Sequence, residues 1–187
     1  VPPGVVLSAE VFEAVCGEGT LAERRERIFE APLPAGVEEA LLEATRELES
    51  PFIVRSAGLD EDAGGASAAG IYRSLLAVER AGLVAAVRAC WSSALSPAAE
   101  AYRAQRGGSA APQMAVVVQT MITPRAAGVL FSEGAGGDVF WVEAVPGHGE
   151  PLVSGEANPV RYRFTWRGGA PRELRVSGEP ASLLAPG

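Results

Sequence analysis

The segment around Arg55 holds the residues of this chain that are best suited to chemistry. Val54-Arg55-Ser56-Ala57 ends a short apolar run, and the small-residue loop Gly64-Gly65-Ala66-Ser67-Ala68-Ala69-Gly70 follows it. A guanidinium donates several hydrogen bonds to one anion, and the main-chain amides of such a loop can face the same oxygens. The combination predicts a polyphosphate-binding site. The alternative is a surface turn in which Arg55 pairs with a nearby carboxylate.

Two further features do not indicate a metal site or a catalytic centre. Asp60-Glu61-Asp62 places three carboxylates side by side, and adjacent side chains point in different directions, so a solvated acidic turn is the better interpretation. His148 is the only histidine and stands between two glycines, which is typical of a loop residue. The residue pattern therefore predicts no metal ligands, and the catalytic residues stay unassigned.

Polar residues at the ends of two apolar runs are candidates for contacts with a nucleotide. Gln119 and Met121 close a very hydrophobic segment, where main-chain groups can pair with an adenine edge while the thioether packs on the base. Glu143 ends a second apolar run and could face a ribose hydroxyl. Core packing explains the apolar residues without any ligand, and a carboxylate at a sheet rim is the alternative for Glu143.

Composition restricts the class of protein. A chain of 187 residues with 48% hydrophobic content can bury a sizeable core, and its net charge of −7 disfavours general binding to nucleic acid or anionic membranes. All 16 basic residues are arginine, which excludes lysine chemistry. Cys16 and Cys90 lack a disulfide or zinc spacing, and no apolar run approaches the ~18 residues of a membrane span. We expect a cytoplasmic protein.

Hydrophobic periodicity and turn residues predict a helical first part. Ser8 can cap a helix over residues 9–15, Thr20-Leu21-Ala22-Glu23 is a capping box, and Pro34 can begin a third helix. Residues 52–54 and 71–78 read as strands, residues 83–95 carry an apolar helical stripe, and Pro97 can open a further helix.

Short strands predominate from Met114 onward. Residues 115–118, 127–131 and 139–142 are apolar runs between turns, and residues 160–166 alternate apolar with polar before Gly168-Gly169, which predicts an antiparallel hairpin. The predicted fold class is α+β, with a helix-rich lobe over residues 1–110 that carries the phosphate loop. A sheet-rich lobe over residues 111–187 carries the adenine-side segment.

Five sequence blocks, taken in order, resemble the nucleotide-binding domain of the phosphoenolpyruvate synthase and pyruvate phosphate dikinase family, which includes rifampin phosphotransferases. The resemblance covers about residues 1–178 and depends on the order of the blocks rather than on any single one. The blocks are VPPGVVLSAEVFEAV, PFIVRSA with its acidic pair and GASAAG, MAVVVQTMI, AAGVLFSEG, and VEAVPGHGEPLVSGEANPVRY.

This resemblance implies an ATP-grasp-like architecture, in which two α+β lobes with mixed, mainly antiparallel sheets clamp ATP and Mg²⁺. ATP then phosphorylates a histidine on a separate swivelling domain, and a further domain passes the phosphoryl group to its acceptor. The partners implied are a nucleotide, a phosphohistidine domain and an acceptor domain. Position by position, Arg55 corresponds to the phosphate-binding arginine. The remaining counterparts are Gly65, Ala66, Ser67 and Gly70 in the lid loop, Gln119 and Met121 beside adenine, and Glu143 near the sugar.

Departures from the family pattern keep other functions open. Arg73-Ser74 stands where the family has Asp-Thr, and the family's phosphate-binding lysine and its C-terminal carboxylates have no counterpart here. We therefore expect one incomplete ATP-grasp-like domain. The alternatives are a catalytically degenerate descendant that senses nucleotide or binds another protein, and an ATP-grasp ligase that activates a carboxylate as an acyl phosphate.

Overall fold

The chain forms two compact units, Val1–Met121 and Ile122–Gly187. The computed structural model describes residues 1–58, 71–105, 112–133, 139–167 and 170–177. Each unit contains its own four-stranded sheet. None of the helices in the described ranges has the length and apolarity needed to cross a membrane.

The sheet of the first unit is antiparallel throughout and is built from distant parts of the chain. Its strands are β1 (Gly4–Leu7), β2 (Phe52–Gly58), β3 (Ser74–Val78) and β4 (Met114–Thr120). The spatial order is β1-β4-β2-β3, so β4 lies in the interior and hydrogen-bonds both β1 and β2. The earliest strand in the sequence is thus joined to the rest of the sheet only through the latest.

Five α-helices and a short 3₁₀ helix, Arg80–Gly82, belong to the first unit among its described residues. The α-helices are α1 (Ala9–Cys16), α2 (Leu21–Glu30), α3 (Val37–Ala44), α4 (Leu83–Ser93) and α5 (Pro97–Gln105). The predicted capping box at the start of α2 is present, with the Thr20 hydroxyl accepting from the Glu23 amide and the Glu23 carboxylate accepting from the Thr20 amide. Two otherwise unpaired amides are satisfied in this way.

One face of this sheet is covered by helices, and the core lies there. In β2 and β4 the side chains alternate, so that Val54, Val116 and Val118 are fully buried while their neighbours point to the other face. Helix α4 covers the buried side with Leu83, Val87, Cys90 and Trp91, all at 0% exposure. Phe12 of α1 packs on Trp91 with ring centroids 6.2 Å apart.

The opposite face of the same sheet carries exposed side chains among its described residues. Val6 of β1 is 66% exposed and Leu76 of β3 is 45% exposed, although both are apolar. We use the name open face for the outward positions of β1–β4, which are Gly4, Val6, Ile53, Arg55, Ala57, Ser74, Leu76, Ala115, Val117 and Gln119.

The second unit is an antiparallel meander. Strands β5 (Ala126–Glu133), β6 (Val139–Pro146), β7 (Val160–Arg167) and β8 (Ala170–Ser177) pair in sequence order. A single helical turn, α6 (Glu150–Val153), follows β6. Phe140 and Phe164 stack across the β6–β7 pair at 5.4 Å. The predicted hairpin corresponds to β7 and β8.

The predicted α+β class with antiparallel sheets is confirmed, and the structure adds two differences. The compact units divide after Met121 rather than after residue 110, because β4 completes the first sheet instead of beginning the second. Strand β2 continues to Gly58, whereas the apolar run alone suggested an end at Val54. Backbone pairing with β4 carries the strand through these small and polar residues.

Candidate functional site

Arg55 lies in the middle of β2 on the open face. Its neighbour Val54 is buried in the core, so the alternation of the strand turns the arginine outward, where it is exposed. Cross-strand pairing places Val117 of β4 on one side of it and Ser74 of β3 on the other. The guanidinium is therefore carried by a strand rather than by a loop.

Ser74 is a residue of this site that the sequence analysis did not assign. It is paired with Arg55 across the β2–β3 ladder and is exposed. A hydroxyl beside a guanidinium adds a neutral donor next to a charged one, and phosphate oxygens accept from both. Strand register alone reveals this neighbour, since 18 residues separate the two in the sequence.

Gln119 shares the open face with Arg55 but its amide is partly engaged. It pairs with Ile53 of β2 and Gly4 of β1, and its Nε2 donates to the Pro2 carbonyl at 3.2 Å. The carbonyl Oε1 of the side chain is the group left to face a ligand. The close approach of β1 to β4 at this point requires a glycine at position 4, because a Cβ there would lie 2.6 Å from the Val118 carbonyl oxygen.

Met121 lies just beyond the C-terminal end of β4. Its amide donates to the Pro51 carbonyl at 2.9 Å, and its sulfur accepts from the Ala77 amide at 3.1 Å. Ala77 has a positive φ of 53°, which turns its amide out of the β3 ladder. The thioether is therefore held against β3 near Leu76 of the open face.

Glu143 belongs to the second unit and forms an ion pair there. It lies opposite Arg161 in the β6–β7 ladder, and the Arg161 Nε donates to the Glu143 Oε1 at 2.7 Å. Both line a shallow cavity of about 350 Å³ together with Phe131 and Trp141. Arg163 lies over the Trp141 ring at 5.4 Å. An aromatic wall beside a charged pair can hold a flat polar ligand.

Several predicted residues fall outside the described part of the chain. These are the lid-loop residues Gly65, Ala66, Ser67 and Gly70 and the acidic turn Asp60-Glu61-Asp62. His148 is described and is an exposed residue between β6 and α6. Within the described ranges, no three His, Cys, Asp or Glu side chains come close enough together to hold a metal ion.

Cys90 is unsuited to nucleophilic chemistry. Burial raises the pKa of its thiol to about 11, against the smaller opposing effect of the nearby Arg73 charge. The thiol stays protonated at neutral pH, and the thiolate is the nucleophilic form. Its Sγ instead donates to the Arg73 carbonyl at 3.3 Å, which is a structural role.

Comparison with known proteins gives a consistent result. Residues 1–177 match the family model described as pyruvate phosphate dikinase, AMP/ATP-binding domain. The phosphoenolpyruvate synthase of Aeropyrum pernix is 29% identical over 98% of this chain and 27% of its own length. A rifampicin phosphotransferase of Streptomyces sviceus is 35% identical over 76% of this chain and 17% of its own.

A third relative is named for a different activity. The prodigiosin synthesizing transferase PigC of Serratia marcescens is 29% identical over 96% of this chain and 22% of its own length. The chain thus spans between 17% and 27% of the length of these three relatives.

Proposed function

Since this chain belongs to the pyruvate phosphate dikinase AMP/ATP-binding domain family, we propose that it binds Mg-ATP as the nucleotide-binding part of a phosphotransferase related to phosphoenolpyruvate synthase. In this proposal it presents a phosphoryl group to a histidine on another domain. The observation that carries the proposal is the pairing of Arg55 with Ser74 on the uncovered face of a rigid sheet. A cytoplasmic location is part of the proposal, because ATP is its substrate.

In this proposal Arg55 binds the phosphates of the nucleotide. Phosphoryl transfer depends mainly on positioned donors and charge, and a strand holds a guanidinium more firmly than a loop does. We propose that Ser74 assists Arg55, and that the amides around Gly65, Ala66, Ser67 and Gly70 close over the phosphates. The exposed apolar residues Val6 and Leu76 offer surface for the less polar part of the nucleotide.

The other proposed contacts concern the base and the sugar. The Oε1 of Gln119 and the thioether of Met121 are proposed to lie beside adenine, and Glu143 near the ribose. Arg161 keeps the Glu143 carboxylate in a fixed orientation, which suits a hydrogen bond to a hydroxyl. Mg²⁺ bound to ATP supplies charge neutralisation. The open face carries no carboxylate among its described positions, so the phosphate oxygens would carry the ion.

Calorimetric titration with Mg-ATP tests the proposal. Arg55→Glu is expected to abolish measurable binding, and Arg55→Gln to weaken it about 10- to 100-fold, because a charge-assisted bidentate contact is lost. Arg46→Gln is the matched control, since Arg46 is an exposed arginine that forms ion pairs with Glu43 and Glu47. Unchanged affinity in Arg55→Glu would place the nucleotide elsewhere.

A catalytically degenerate nucleotide-sensing module is the second candidate. It is favoured by Arg73-Ser74, which stands where the family has Asp-Thr. Transfer of label from [γ-³²P]ATP or [β-³²P]ATP to protein, measured with the full-length gene product, distinguishes the two. Saturable ATP binding without any labelled protein would support the sensor and contradict the phosphotransferase.

A further inference from the structure

A second cavity lies in the first unit, on the helical side of the sheet. It has a volume of about 440 Å³ and opens between α2, the C-terminal end of α4 and the segment before β3. Its described walls carry two arginines, four serines and a tyrosine but no acidic side chain. Pockets of this size accommodate small metabolites.

The two arginines of this cavity have no ion-pair partner among the described residues. Arg25 comes from α2 and Arg73 from the segment before β3. Among the described residues, the ion pairs within 4.0 Å involve Arg46 and Arg161 and neither of these two. Two like charges that line one cavity without a counterion favour an anionic ligand.

Hydrogen bonds to its backbone hold one of these arginines, Arg73, in place. The Ser93 Oγ accepts from the Arg73 amide at 3.1 Å and donates to the Cys90 carbonyl at 2.6 Å. The backbone of Arg73 is held from the other side by the Ser56 amide, which donates to its carbonyl at 3.3 Å. Arg73 is therefore anchored at both backbone groups while its side chain stays exposed.

Ser96 supplies a further donor. Its Oγ accepts from the Ala99 amide at 3.1 Å, and the described residues offer no acceptor for its hydroxyl proton. Helix α5 begins directly after it at Pro97, so the positive end of the peptide dipoles of α5 lies beside the cavity wall. Ile71 and Tyr72 add apolar surface. The cavity thus combines anion-binding groups with room for an organic body.

Apart from Ser74, which lines this cavity and also belongs to the open face, the cavity residues are not those of the open face. The cavity's α4 residues Ala89, Ser92 and Ser93 belong to the helix that packs against the Val54 side of the sheet, as shown by the Cys90 thiol 3.5 Å from the Val54 carbonyl. Arg55 lies on the opposite face of the sheet, because it alternates with Val54 along β2. Ser74 forms the rim where β3 begins.

We propose that this cavity is a second ligand site, which binds a phosphorylated small molecule through Arg25, Arg73 and Ser96. The two guanidinium groups and the hydroxyl bind the phosphate group, and Ile71 and Tyr72 contact the rest of the molecule. The site does not depend on nucleotide binding at the open face.

Titration of the full 187-residue chain with inorganic phosphate at constant ionic strength, followed by amide chemical shifts, tests the proposal. We expect saturable binding in the millimolar range, with shifts at Arg73 and Ser93. Arg25→Gln and Arg73→Gln are each expected to weaken it about tenfold, whereas Arg46→Gln leaves it unchanged. Glycerol phosphate should bind more tightly than phosphate, and glycerol should not bind.

Three results would overturn the proposal. The first is no saturable binding, and the second is unchanged phosphate affinity in both cavity variants. The third is a loss of phosphate affinity in Arg55→Gln equal to that in the cavity variants, which would assign the phosphate to the open face. Arg73→Lys controls for misfolding, because it keeps the positive charge and loses the bidentate guanidinium. It should bind phosphate with an affinity between those of the wild type and Arg73→Gln. Mg-ATP titrations of the same variants keep this result separate from the proposed function.

Discussion

Arginine performs different tasks at different positions in this chain, and contacts decide which. Arg55 is exposed on the open face, whereas Arg80 is partly buried and donates to the Thr45 carbonyl at 2.9 Å and the Leu48 carbonyl at 2.8 Å. Its guanidinium also lies 5.2 Å from the centre of the Phe52 ring. Arg80 therefore ties the segment after α3 to the first residue of β2.

Loss of Arg80 should destabilise the first unit without touching the nucleotide site. We expect Arg80→Ala to lower the free energy of unfolding by about 2–3 kcal/mol, because hydrogen bonds from a charged donor and a cation–π contact are lost together. Urea denaturation measures this. Arg46→Ala is the control and should change little, as is usual for exposed ion pairs. An equal effect of both variants would contradict the assignment.

At the scale of elements, the features that depend on residues close together in the sequence were predictable. The features that depend on residues far apart in the sequence were not. The capping box at Thr20 was predictable because its partners lie three residues apart. The extension of β2 past Val54 was not, because pairing with β4 overrides the weak strand preference of Ser56-Ala57-Gly58. Similarly, Arg55 was identifiable as a candidate from its context, but its neighbour Ser74 follows only from strand register.

The capping box gives α2 a pH-dependent contribution to stability. Hydrogen bonds from the Thr20 amide, and then from its hydroxyl, lower the pKa of Glu23 below its ordinary value. A carboxylate with a depressed folded pKa stabilises the fold above its unfolded pKa and loses this effect as the pH falls through the folded pKa.

Thr20→Ala should therefore be less stable than wild type at pH 7, with the difference narrowing below about pH 4.5, the region of the unfolded carboxylate pKa. Thermal unfolding across this pH range measures the difference. Thr20→Ser is the matched control, because it keeps the hydroxyl that Thr20→Ala removes. A constant difference down to pH 2–3, well below the ordinary glutamate pKa, would contradict the explanation.

At the scale of the whole molecule, the core is concentrated in the first unit. The main cluster of buried residues runs from Leu7 to Val118 and lies entirely within Val1–Met121. In the second unit, the fully described side chains that reach the same degree of burial are those of Val145 and Val160. Sequence reasoning placed the boundary at residue 110 because apolar strands follow it, and nothing local shows that the first of these strands completes an earlier sheet.

A fragment of residues 1–121 should fold on its own with a cooperative unfolding transition, because it contains the whole of this core. A fragment of residues 1–110 should not, because it lacks the interior strand β4, to which β1 and β2 are both paired. Near-ultraviolet circular dichroism and urea denaturation compare the two. Cooperative unfolding of the shorter fragment, or its absence in the longer one, would show that the core is partitioned differently.

The placement of β1 beside β4 also affects the order of events during synthesis. Residues 4–7 are synthesised before the other strands of this sheet but have no strand to join until residues 116–119 follow. At about 5–20 residues per second, the delay is roughly 5–25 s. During that interval α1 to α4 and the β2–β3 pair can assemble ahead of the strand that closes the sheet. Until translation has passed Thr120, the apolar segment Val5-Val6-Leu7 therefore has no strand partner in this sheet.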